Sequence, residues 1–167
     1  MIDSKPTLAA GYGPEHYNVH LVLKVPFFLA LSMVWLARNL IVPFVAGIIS
    51  QKTHSNEFAE LVINPSTWLF AGGSFPALVI LFAWGKRMPQ AGGIVRWIWR
   101  NARILLAASS LTDLVLHYLL IPKLTKGFIP ATLLLDFYIL VYLAISQRVK
   151  HVFADFPVSP EPPANKP

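Results

Sequence analysis

Arg38, Asp113, His117 and Asp136 are ionisable side chains set inside long stretches that otherwise hold almost no charge. An ionised side chain near the centre of a membrane helix costs ~2.5–3.5 kcal/mol on an insertion scale, so such residues persist where they face a bundle interior and pair. Asp113 and His117 stand at i and i+4, which puts them on one helix face. Arginine suits a pairing role, since its fork bonds two carboxylates and it stays charged. The expectation is a buried cluster in which Arg38 pairs with Asp113, Asp136 or both. Asn39, Ser109, Ser110, Thr112, Tyr118 and Tyr138 are the nearby hydrogen-bonding groups. One arginine against two ionised aspartates leaves a formal sum of −1, with His117 neutral. A shared proton, or a protonated His117, brings it to zero. Two chemistries follow: an interhelical clamp that fixes register, or a proton or ion relay.

The elements that must position these residues are four apolar runs, at about residues 25–49, 67–84, 104–121 and 128–145. Each is long enough, or nearly so, to cross ~30 Å of hydrocarbon at ~1.5 Å per residue. Only 13% of the 167 residues are charged, against about 25% in a soluble domain. "ATLLLDFYILVYLAI" and "FPALVILFAW" are apolar all round, whereas a buried helix of a soluble protein keeps a polar stripe. The expected fold is therefore all-α, a bundle of four transmembrane helices. A segment 1–24 precedes the membrane domain 25–146, and a tail 147–167 follows it, disordered from about 157. The first run is too long for a cleavable signal peptide. Counted along these runs at ~1.5 Å per residue, all four polar residues fall in one slab just outward of the midplane.

Charge placement sets the orientation. The connection between the second and third runs holds Lys86, Arg87, Arg96, Arg100 and Arg103 and no acid. With both termini inside, ten basic residues lie inside and three outside, leaving Arg38 in the membrane. Both termini are thus expected on the cytoplasmic side. The basic excess reads as topology and as a patch for anionic lipid, and no nucleic-acid partner is expected. Arg96, Trp97, Trp99, Arg100 and Arg103 form the candidate interface, with rings at the headgroups and arginines reaching phosphates. Gly72 and Gly73 offer a place for another helix to come close.

Several chemistries find no residues. The absence of cysteine excludes disulfides, iron–sulfur clusters and thiol catalysis. A bis-histidine haem needs two axial ligands in the bundle, and only His117 lies in an apolar run. His16 and His20 stand at i and i+4 but lack companion ligands, so no metal site is expected there. Phosphate-loop, nucleophile-elbow and zincin motifs are missing. The expectation is a non-enzymatic protein without a cofactor.

Three stretches carry a family likeness: "VPFFLALSMVWLARNLIVPFVAGIIS" with Pro26 and Arg38, "NPSTWLFAGGSFPALVILFAWGKRMP", and "SQRVKHVFADFP" at 146–157. In these the sequence resembles the YfeZ-like bacterial inner-membrane proteins, a family of unknown function. The resemblance spans about residues 12–157. It implies four spans in a bacterial cytoplasmic membrane and no established activity. In the last stretch, Val152, Phe153 and Phe156 are apolar residues just past a basic stop, placed to tuck back at the inner interface with Pro157 ending the helix. The alternative is a docking site for a cytoplasmic partner through Phe153, Asp155 and Phe156. Together these readings point to a structural or accessory component of a larger membrane complex, with lipids and other subunits or a second copy as partners. The alternative is a small proton- or ion-coupled transporter using Asp113, Asp136 and His117.

Overall fold

The computed structural model describes residues 12–17, 22–53, 64–120 and 128–157. Among the described residues five α-helices follow one another: α1 Phe27–Thr53, α2 Pro65–Gly85, α3 Gly93–Leu120, α4 Phe128–Ile145 and α5 Gln147–Ala154. A 3-10 turn at Pro14–His16 precedes them. Among the described residues three helices are long and apolar enough to cross a membrane, over Phe27–Lys52, Pro65–Gly85 and Gly93–Leu119. The pair Pro130–Ile145 and Gln147–Ala154, bent by 70°, makes a fourth if it is taken as one span.

Local chemistry explains the ends. Asn64 caps α2 by accepting from Ser66 N at 3.0 Å, and Pro65 occupies the first turn, where its missing N–H is no loss. Ser146 caps α5, its hydroxyl accepting from Val149 N at 3.3 Å. That cap also marks the bend between α4 and α5. Phe156 precedes Pro157 and so favours extended backbone; α5 has already stopped at Ala154.

The third helix starts at Gly93, eleven residues before the apolar run that begins at 104. Transfer energy detects only the part that suits lipid, while helical hydrogen bonding is indifferent to it. Arginines are good helix formers, so α3 continues beyond the apolar stretch through Arg96, Arg100 and Arg103. Unlike α1, α2 and α4, it carries a distinct polar side.

α1 packs on α2, α2 on α3 and α3 on α4, and α3 also touches α1 and α5. The core joins Leu29, Met33 and Leu36 of α1 to Ile80 of α2, Trp99 and Leu106 of α3, Ile139 and Leu143 of α4, and Val149, Val152 and Phe153 of α5. Gly73 lets α2 and α3 come close. A Cβ there would stand 2.9 Å from Thr112 Cγ2, and Ser109 Oγ donates to the Gly73 carbonyl at 2.7 Å. Gly72, its neighbour, faces open space. Aromatic side chains link α1 to α4, with Phe28 edge-on to Tyr138 and Tyr142.

Val149, Val152 and Phe153 lie at i, i+3 and i+4 and bury one face of α5. The tail expected to follow the membrane domain thus begins as a packed helix. Residues 158–167, where disorder was expected, lie outside the described residues, as do 1–11, 18–21 and the connections 54–63 and 121–127 with Lys123 and Lys126.

Candidate functional site

Helices α1, α3 and α4 bring Arg38, Asp113, His117 and Asp136 together. Arg38 Nη2 lies 2.7 Å from Asp113 Oδ2 and 3.6 Å from Asp136 Oδ2. Asp136 is fully buried and Asp113 nearly so. The guanidinium is itself held, since Nη1 donates to the Trp35 carbonyl at 2.9 Å and its Cζ stands over the Trp35 ring, 4.1 Å from the ring centroid. A desolvated cation over an indole face gains from the ring quadrupole.

Each carboxylate also accepts a hydrogen bond from a neighbour of Arg38 on α1. Asn39 Nδ2 donates to Asp113 Oδ1 at 2.8 Å, and Trp35 Nε1 donates to Asp136 Oδ1 at 2.8 Å. Ser110 Oγ donates to the Asp136 backbone carbonyl at 2.8 Å. His117 Nδ1 lies 2.8 Å from the Asp113 carbonyl oxygen. A carbonyl only accepts, so Nδ1 carries the proton. Phe70 stands edge-on to the His117 ring at 4.9 Å. One atom is left over: Asp136 Oδ2 is buried and has no hydrogen-bond partner. Tyr118 and Tyr138 are exposed, and Ser109 turns to Gly73.

Asp113, His117 and Asp136 present ligand-type atoms within 4.8 Å of one another, a spacing suited to a cation. The Arg38 guanidinium already supplies positive charge among them. Its contacts to both carboxylates would have to loosen before a metal ion took their oxygens.

A second constellation sits where the 86–92 turn meets both described chain ends. Arg87 is buried and donates to the carbonyls of Leu23 (2.9 Å), Val152 (3.4 Å) and Asp155. Its guanidinium lies 4.7 Å from the Trp99 ring. Burial pulls this guanidinium down to about 10, an effect the Asp155 carboxylate opposes; Arg87 is charged at neutral pH. Trp99 Nε1 donates to the Val152 carbonyl at 3.0 Å, and Phe153 packs edge-on against its ring. Asp155 Oδ2 accepts from Leu23 N at 2.8 Å. Tyr12 Oη lies 3.2 Å from His151 Nδ1, and Arg148 donates to His16 Nδ1 at 3.3 Å.

A family model described as "Protein of unknown function (DUF2919)" matches residues 12–155. The chain belongs to this family. The match takes in both constellations, from Tyr12 to Asp155, and it names no activity. Comparisons with curated proteins and with solved structures find no match.

In this DUF2919 chain the candidate interface residues separate. Trp97 is exposed, as are Arg96 and Arg100. Trp99 departs from its expected place among the headgroups and is wholly buried. A two-residue step along a helix turns the side chain by about 200°, so Trp97 and Trp99 face opposite ways. Arg103 reaches the end of α4 and donates to the carbonyls of Leu143 at 2.7 Å and Ala144 at 2.6 Å, groups that the helix leaves unsatisfied. Phe153 and Asp155 are engaged within the chain, and Phe156 is half-buried.

Trp35 and Arg87 were not singled out by type or spacing. For Trp35 a signal exists: an indole N–H inside an apolar run needs an acceptor. Arg87 reads in sequence as one more charge of the basic connection.

Proposed function

We propose that this protein is a non-enzymatic, multi-pass inner-membrane protein with four spans and cytoplasmic termini, acting as a structural or accessory component of a larger membrane complex. The observation that carries this reading is the clamp. Arg38 of α1 touches carboxylates on α3 and α4 at once, and every donor around it comes from a neighbouring helix or its own turn. Such a network fixes three helices in one register, which suits a scaffold. An apolar groove of about 290 Å³ between α1 and α2, walled by Leu40, Pro43, Phe44, Gly47 and Trp68, offers shape for side chains of another subunit. The basic 86–103 connection supports the cytoplasmic placement. The test is gentle extraction of the tagged protein at native level, followed by mass determination. A stoichiometric partner is the expected result. A pure homo-oligomer removes the accessory reading.

One observation favours a second reading, a proton-coupled carrier. Asp136 Oδ2 is buried without a hydrogen-bond partner, in a cluster whose ionised form sums to −1. A proton on that oxygen cancels the charge. Proton flux in vesicles that D136N abolishes would favour this reading; flux absent from the wild type removes it.

A further inference from the structure

A cavity of about 260 Å³ opens between the first turns of α3 and the segment after α5, walled by Arg96, Trp99, Arg100, Phe153, Phe156 and Pro157. Arg96 and Arg100 stand at i and i+4, so both guanidinium groups rise from one helix face. Arg96 uses one N–H on the Pro89 carbonyl at 2.8 Å and stacks 5.5 Å from the Phe156 ring. Arg100 is exposed, and its guanidinium has no hydrogen bond or ion pair among the described residues. No acidic residue occurs between Glu60 and Asp113. The carboxylate nearest in sequence to the cavity wall, Asp155, is turned to Leu23 N. Two neighbouring cations repel each other unless an anion lies between them.

The surface leading away from the cavity says what kind of anion. Trp97, Ile104 and Leu111 are exposed at intervals of seven, one stripe along α3. α3 is one of the helices long and apolar enough to cross a membrane. Arg100 stands three residues after Trp97 and four before Ile104, so it shares their face of α3, and a charged pocket beside such a stripe fits a molecule with an anionic head and apolar tails. We propose that Arg96 and Arg100 bind the phosphodiester headgroup of an anionic phospholipid, held in this cavity against Phe156, with its acyl chains along Trp97, Ile104 and Leu111. This proposal rests on the membrane-spanning reading. Arginine's fork matches phosphate oxygens in pairs, and the guanidinium–Phe156 stack holds one fork in place.

The test uses the full chain in nanodiscs of phosphatidylcholine with a minority of phosphatidylglycerol, followed by native mass spectrometry of the lipid that stays bound. The wild type is expected to retain phosphatidylglycerol preferentially. R100Q, whose side chain supports nothing in the fold, is expected to lower that retention about fivefold, and R96Q/R100Q further by a similar factor. K86Q, which removes an equal charge outside the cavity, is expected to lower it less than R100Q does. Equal retention by wild type and R100Q overturns the proposal, as does an equal loss in K86Q. Displacement of the lipid by millimolar inorganic phosphate would make the site one for free phosphate and overturns it too. A wild-type chain that alkaline extraction strips from the bilayer overturns the membrane-spanning reading and this proposal with it. A chain that stays in the bilayer without lipid preference overturns this proposal alone.

Discussion

Arg38 Nη2 of α1 and Asp113 Oδ2 of α3 meet at 2.7 Å, and the same nitrogen lies 3.6 Å from Asp136 Oδ2 of α4. One guanidinium therefore serves two buried carboxylates. Removing it leaves both without their counter-charge, and removal of one partner from a buried pair costs ~3–5 kcal/mol. R38A is expected to lower the thermal midpoint sharply in detergent. The exchange R38D/D113R is expected to recover part of the loss, because the cation stays beside Asp136. A double variant no better than R38A counts against direct pairing.

Asp136 separates charge from hydrogen bonding. D136N keeps an oxygen to accept from Trp35 Nε1 and takes the formal sum of the cluster from −1 to zero. Its stability is expected to match or exceed the wild type. D136L removes the acceptor and orphans the indole N–H, a loss of about 1–3 kcal/mol. Thermal unfolding of the pair reads this directly, and a D136N less stable than D136L would refute it.

Arg87 ties both described chain ends to the bundle through three carbonyls. R87L strands those acceptors, and R87K offers one compact donor group where a planar fork is needed. Both variants are expected to expose α5, seen as faster proteolytic cleavage after Ser146, with R87L the faster. Cleavage at the wild-type rate would show that Val149, Val152 and Phe153 hold α5 without it.

Two adjacent glycines are expected to behave differently. A Cβ on Gly73 meets Thr112 Cγ2 at 2.9 Å, while one on Gly72 meets nothing. G72A is expected to be neutral or slightly stabilising, since alanine is the better helix former. G73L overpacks the α2–α3 contact at a cost of about 1–3 kcal/mol. Equal stability of the two variants would place the helices further apart than they stand here.

What composition and hydropathy determined by themselves was the all-helical class and the helices suited to a membrane. Transfer energy adds residue by residue along a run, so no partner is needed to read it. The i, i+4 spacing of Asp113 and His117 and the scarcity of charge in the runs marked the polar cluster for the same local reason. Only the tertiary structure decided how the cluster is wired. That Arg38 sits closer to Asp113 than to Asp136, and that Trp35 bonds Asp136, depends on how α1, α3 and α4 are rotated against one another. No local pattern encodes that rotation. The same holds for Trp99 and Arg87, which resemble their exposed neighbours Trp97 and Lys86 in type. Their burial comes from α5 folding back at the Ser146 break and placing the Val152 carbonyl within reach of both. That contact joins residues more than fifty positions apart, and a reading along the chain has no distance by which to find it.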